Sequence, residues 1–178
     1  MKLSGYDIDE RARRLKLLLF DVDGVLTDGG LVLGGDGSEA KNFYIRDGAA
    51  IIWAKQAGLT VGLLSGRPSQ ATTRRANELG IALVSQSGPD KLGAYGRILE
   101  AEAVQDEQVA YMGDDLLDLG VIERVGLSGA PADAADEVLD SVDWVSRRRG
   151  GRGAVREFIE LILRGRGRWN AVLSSHRF

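Results

Sequence analysis

The chain has 178 residues, 44% of them hydrophobic, and a formal net charge of -3. That is the size of one domain with a full core, and it implies neither a disordered chain nor a nucleic-acid partner. With no cysteine and a single histidine, His176, disulfide, thiolate and histidine-triad chemistry are excluded, and a histidine-rich zinc site with them.

The first 16 residues are polar and charged, without the apolar core of a signal peptide, and no later stretch approaches a membrane span. A soluble, cytoplasmic protein is the expectation. Leu17–Phe20 is an apolar run of the kind buried on both faces of a parallel sheet, and it ends in Asp21, Asp23 and Gly24. Residues 29–43 read as a hairpin: Leu31-Val32-Leu33, a glycine-rich turn over residues 34–37, and a return over Ala40–Tyr44. Asp47 is placed to cap a helix that runs to Ala57 and stops at Gly58.

Strands follow at Leu59–Leu64, Ile81–Val84 and Gln108–Met112. Between them lie a helix over Ser69–Leu79 and another opening at Pro89 and Asp90, with Leu92, Tyr95, Ile98 and Leu99 on one face. Asp115–Glu123 reads as a short helix, Gly126–Ser128 and Asp143–Val145 as brief outer strands, and Ala154–Leu163 as an amphipathic helix. Strands separated by helices give the α/β class, a parallel sheet with right-handed crossovers. Residues 1–163 form one domain. The tail over residues 164–178 carries Arg164, Arg166, Arg168 and Arg177 among Gly and Ser. It reads either as a frayed terminus or as an arm that docks on a neighbouring subunit through Trp169 and Phe178.

In such a sheet the strand ends on one edge form the site. That edge collects Asp21 and Asp23, then Ser65, Gly66 and Arg67, then Lys91, then Gly113, Asp114, Asp115 and Asp118. Crowded acidic groups call for a hard cation such as Mg²⁺, held by oxygen ligands. Asp21 is placed to be a carboxylate nucleophile toward phosphorus, and Asp23 to protonate the leaving oxygen and later deprotonate water. Asp114 offers the cation a further oxygen. Asp118 and Asp115 are expected to hold the ligands in place. Lys91 balances the charge of Asp21 and of a phosphate. Ser65, with backbone N–H groups at a helix start, is expected to hold phosphate oxygens.

The stretch Asp21-Val22-Asp23-Gly24-Val25-Leu26-Thr27, with Ser65, Lys91 and Gly113-Asp114-Asp115-Leu116-Leu117-Asp118, resembles the four motifs of the haloacid dehalogenase superfamily. Asp23 resembles the second aspartate of its phosphatases. The resemblance implies magnesium held by the side chains of Asp21 and Asp114 and the main-chain carbonyl of Asp23. No insertion is large enough for a cap domain. The implied fold is Rossmann-like and three-layered, with a central parallel sheet and a small β-hairpin flap.

Arg46-Asp47-Gly48 and the stretch from Gly150 to Glu157 are similar to the capless, tetrameric branch that dephosphorylates 3-deoxy-D-manno-octulosonate 8-phosphate. That likeness implies a phosphorylated sugar acid as substrate, no nucleic-acid or membrane partner, a homotetramer with sites near subunit interfaces, and a place in lipopolysaccharide biosynthesis. It also implies substrate contacts from Asp23, Tyr44, Ile45, Arg46, Asp47, Gly48, Gly66, Arg67, Arg75 and Lys91. Arg67 and Arg75 match arginines used on the acidic sugar, although Arg75 also reads as a surface residue. Tyr44 and Ile52 stand where relatives often carry Asn and Arg. A nine-carbon sialic-type acid 9-phosphate is the alternative substrate, and an inactive binding module on the same fold the alternative class. Arg152 and Gly153 read as a subunit contact or simply as a helix start.

Overall fold

The structure, a computed structural model, describes residues 5–86 and 88–176. In chain order the polar N-terminal segment forms α1 (Gly5–Arg14) and the apolar run forms β1 (Leu17–Phe20). The hairpin comprises β2 (Val32–Leu33) and β3 (Glu39–Ala40), and α2 (Ile45–Gln56) follows. Next come β4 (Thr60–Ser65), α3 (Gln70–Glu78), β5 (Leu83–Gln86), α4 (Lys91–Glu102) and β6 (Val109–Met112). The chain then runs through α5 (Leu119–Ile122), β7 (Leu127–Ala130), α6 (Asp136–Ser141), β8 (Trp144–Val145), α7 (Ala154–Gly165) and α8 (Trp169–Ser175).

β1 sits inside a six-stranded sheet of order β5-β4-β1-β6-β7-β8, and every pairing in it is parallel. Its side chains alternate between two cores. Leu18 and Phe20 pack with Ile8 of α1, Ile51 of α2 and Phe158 and Ile162 of α7. Leu17 and Leu19 pack with Tyr95 and Ile98 of α4, Ile122 of α5 and Val138 of α6. This is the expected three-layer α/β architecture, with the two-stranded hairpin outside it. Each large side chain fully buried in these cores contributes about 1.5–3 kcal/mol. The fit is close: a Cβ on Gly129 would stand 2.9 Å from the Phe158 ring.

Three helices escape the reading of the sequence. α1 hides a buried stripe of Ile8 and Ala12 among charged neighbours, and α6 is only six residues long. The third is α8, within the basic tail. Arg166 donates from Nη1 to the carbonyls of Leu15 at 2.7 Å and Ala12 at 3.0 Å, satisfying the open end of α1. Trp169 then buries itself edge-on against Trp53, with 5.8 Å between ring centroids. Of the two residues expected to anchor an arm, Trp169 thus packs on its own domain, and Phe178 lies outside the described residues.

The reading of Asp47 as the cap of its own helix is also corrected. α2 begins two residues earlier, after Tyr44, which makes no side-chain cap. Asp47 instead accepts from the backbone N–H of Arg156 at 2.8 Å and of Gly153 at 3.3 Å. Its carboxylate caps α7 across the helix pair, where a helix dipole favours negative charge. The stretch read as one helix from Asp115 is a 3-10 turn, Leu116–Asp118, followed by the four residues of α5.

Candidate active site

Asp21 is the first residue beyond β1, and its N–H still donates to the Met112 carbonyl at 3.0 Å. The sheet therefore fixes its backbone, and the side chain emerges at the strand-end edge. The first residue of α4, Lys91, reaches back to it with Nζ 3.0 Å from Asp21 Oδ1 and 2.6 Å from Asp118 Oδ1. All three groups are buried. Asp118 has no oxygen to spare: Oδ1 also accepts from the Tyr111 hydroxyl, and Oδ2 accepts from the N–H groups of Asp114 at 2.9 Å and Asp115 at 3.1 Å. One carboxylate thus locks both Lys91 and the loop that carries Asp114.

Asp114 lies against the turn after Asp23. Gly24 has φ +86°, and a Cβ there would stand 1.9 Å from Asp114 Oδ2, so only glycine permits this approach. Oxygens of Asp21, Asp114 and Asp118 come within 4.8 Å of one another. Burial lifts the Asp21 carboxyl to about 6, against the pull of Lys91 and with a push from Asp118. Burial and then the charges of Asp21 and Asp118 lift Asp114 to about 8. Burial pulls Lys91 down, but Asp21 and Asp118 outweigh it and hold the ammonium above its ordinary value.

These groups fit a hard divalent cation. Asp114 Oδ1 is buried without a hydrogen-bond partner, and two carboxylates are held where burial disfavours their charge. Both oxygens of Asp118 are engaged, whereas Asp114 Oδ1 is not.

No protein-family model matches the chain. It is 45% identical over 157 residues, 88% of this chain and 84% of the relative, to 3-deoxy-D-manno-octulosonate 8-phosphate phosphatase KdsC of Yersinia pestis. It is 43% identical over 162 residues, 91% of this chain and 86% of the relative, to the enzyme of that name from Escherichia coli K12. The chain belongs to the 3-deoxy-D-manno-octulosonate 8-phosphate phosphatase family. The family's Moraxella catarrhalis structure, in complex with magnesium ion, phosphate ion and a KDO molecule, superposes with a TM-score of 0.93 at 34% identity, covering 96% of this chain and 98% of that one. The chain's place in the haloacid dehalogenase superfamily follows.

Within this family member, a second charge cluster faces the hairpin. Lys41, just after β3, sets Nζ 2.7 Å from Asp23 Oδ1 and 2.9 Å from Oδ2. Glu39 accepts from Arg67 Nη2 at 2.6 Å and from Ser69 Oγ at 2.7 Å. Ser65 is buried; its Oγ donates to the Arg67 carbonyl at 3.3 Å and accepts from the Arg67 N–H at 3.4 Å. A Cβ on Gly66 would stand 3.6 Å from Lys91 Cε, so that loop abuts the lysine. Lys41, Glu39 and Tyr111 escape the reading of the sequence. Tyr111 sits in a strand that reads as pure core, and a hairpin lysine ordinarily reads as solvated.

Other expected positions lie apart from these clusters. Asp115 is exposed and accepts from the Leu116 N–H at 2.8 Å, capping its own turn, while its own N–H donates to Asp118 Oδ2 at 3.1 Å. Tyr44 and Arg46 line a cavity of about 290 Å³ with Arg148, Arg152 and Arg156, and Ile45 is 80% exposed. Asp47 is engaged by α7. Arg75 pairs with Glu78 at 2.9 Å, lies over the Phe43 ring and leaves no room for a side chain on Gly48. Gly150 and Gly151 pack on the backbone of Gly24 and Thr27, and Gly153, at φ +106°, is the residue before α7.

Proposed function

We propose that the protein is a magnesium-dependent phosphoric monoester hydrolase that releases phosphate from 3-deoxy-D-manno-octulosonate 8-phosphate. The observation that carries this reading is the buried Asp21 carboxylate at the end of β1, gripped by a lysine shared with Asp118 and adjoining an unpartnered oxygen of Asp114.

Asp21 attacks phosphorus: an Asp21 oxygen–phosphorus bond forms as the bond from phosphorus to the sugar oxygen breaks. Asp23, carrying a proton, gives it to the departing sugar oxygen, which leaves as a hydroxyl. Water then attacks phosphorus, its proton returning to Asp23, and the Asp21 carboxylate departs to leave inorganic phosphate. Lys91 offsets the charge on Asp21 and on the transferred group, and Ser65 with neighbouring N–H groups supplies donors to its oxygens. Side-chain oxygens of Asp21 and Asp114 and the main-chain carbonyl of Asp23 would hold the magnesium, which neutralises phosphate charge and orients the ester.

Arg67 supports an acidic sugar as substrate. Its guanidinium already binds a carboxylate, that of Glu39, and is 41% exposed; a planar fork of this kind suits the carboxylate of a sugar acid. Exposure of Leu31, Val32, Leu33 and Ile45 supports a homotetramer in which the hairpins meet neighbouring subunits, and a cytoplasmic location completes the reading. Turnover against a panel of phosphorylated sugar acids tests the assignment. The eight-carbon ester is expected to lead; strong turnover of the nine-carbon 9-phosphate with none of the eight-carbon ester would overturn it.

A further inference from the structure

The hairpin carries a buried ammonium group into the site. Residues 31–38 are exposed, yet the side chain of Lys41 is 0% exposed. Among the described residues its ion-pair partners are Asp23, at 2.7 Å, and Glu39, at 3.9 Å. Burying an ammonium costs several kcal/mol unless close partners compensate it, and an apolar residue would close a hairpin without that cost. Apart from this ammonium, Asp23 Oδ1 is buried with no hydrogen-bond partner. Lys41 is therefore what fixes the Asp23 carboxylate. Lys91, whose ion-pair partners are Asp21 and Asp118, does not serve it.

We propose that Lys41 is a positioning residue of the phosphatase: it holds the Asp23 carboxylate in the orientation from which Asp23 serves the leaving oxygen and the attacking water. This rests on the role proposed above for Asp23. Glu39 extends the device, because the strand that delivers Lys41 to Asp23 also delivers Glu39 to Arg67 and Ser69. The hairpin thereby ties the proton-transfer group to the arginine proposed for the sugar carboxylate. Misplacing a reacting group by about 1 Å costs on the order of 100-fold in rate, which sets the expected effect.

The experiment compares wild type, Lys41→Met, Lys41→Arg, Asp23→Asn and the double variant Asp23→Asn/Lys41→Met on 3-deoxy-D-manno-octulosonate 8-phosphate with magnesium. Lys41→Met is expected to lower kcat about 100-fold with KM changed less than about threefold. Lys41→Arg, which keeps a cation, recovers at least about a tenth of wild-type kcat. The double variant is expected to be no slower than Asp23→Asn, because a residue that acts through Asp23 has nothing left to position. If Lys41→Met does not fold, Lys41→Gln takes its place in the same comparison.

Three results would overturn the proposal: kcat of Lys41→Met within about twofold of wild type, a raised KM at unchanged kcat, or a double variant falling a further ~100-fold below Asp23→Asn. Full activity of Asp23→Asn itself would instead reject the role of Asp23, so the two failures are distinguishable.

Discussion

Lys91 and Lys41 are both buried lysines bridging two carboxylates, but they are built on different ground. Lys91 opens a helix that follows a strand of the central sheet, and its partners stand at the ends of other strands. Lys41 hangs from a two-stranded hairpin whose outer residues are exposed, and its partners are the turn after β1 and the hairpin itself. Asp21, Asp114 and Asp118 set three carboxylates against the ammonium of Lys91. The excess of two negative charges matches a divalent cation. The difference separates two tasks. On the proposed mechanism, bond making at phosphorus is set in the core, among strand ends and buried hydrogen bonds. Holding the sugar and moving its proton fall, on the same proposal, to Arg67 and Asp23, which the hairpin's Glu39 and Lys41 steady from outside the sheet.

The comparison breaks most visibly at Lys91. Lys91→Met leaves Asp21 and Asp118 buried without a cation, so activity is expected to fall about 10³-fold, and stability by about 3 kcal/mol or more in denaturant titrations. An unchanged unfolding midpoint would mean that the core cluster is less dependent on this lysine than its burial implies. A smaller effect is expected on the hairpin side. Arg67→Ala removes a charged hydrogen-bonding fork worth about 1.5–3 kcal/mol. KM for the eight-carbon acid should rise about 10- to 100-fold, while turnover of a phosphate ester without a carboxylate changes little. Equal losses on both substrates would remove Arg67 from acid recognition.

An effect on stability alone, with none expected on chemistry, concerns Asp47, away from both lysines. Burial raises it to about 6, against N–H bonds from Arg156 and Gly153, from an ordinary 3.8. Between those values the folded chain binds more protons than the unfolded one, so stability falls as pH rises through the window. Asp47→Asn lacks this titration. Wild type should therefore lose up to about 3 kcal/mol relative to the variant between pH 4 and 7, read from urea unfolding at several pH values. A difference independent of pH would contradict the shift.

How much of this is legible in the sequence follows from the same division. Leu17–Phe20, Thr60–Ser65 and Val109–Met112 are apolar runs closed by chemistry-bearing residues, so their order, the parallel sheet and the gathering of Asp21, Lys91, Asp114 and Asp118 can be read directly. Element ends drift by a residue or two, as helix and strand boundaries do. Long-range partners are not legible. Asp47 reads as a local cap because its real partners lie over 100 residues on. Lys41 passes unremarked in the sequence because only the folded hairpin brings it to Asp23. Trp169 reads as part of a tail because Trp53, on which it packs, belongs to a distant helix.

The most direct test is to look for phosphate on Asp21. Protein turning over 3-deoxy-D-manno-octulosonate 8-phosphate with magnesium is quenched in acid, reduced with borohydride, digested and sequenced by mass spectrometry. Borohydride converts an aspartyl-phosphate to homoserine. The modification is expected at position 21, lost in Asp21→Asn and lost when EDTA replaces magnesium. Modification at Asp23 or Asp114 instead, or steady turnover by Asp21→Asn, would contradict the assignment of the nucleophile and the site built around it.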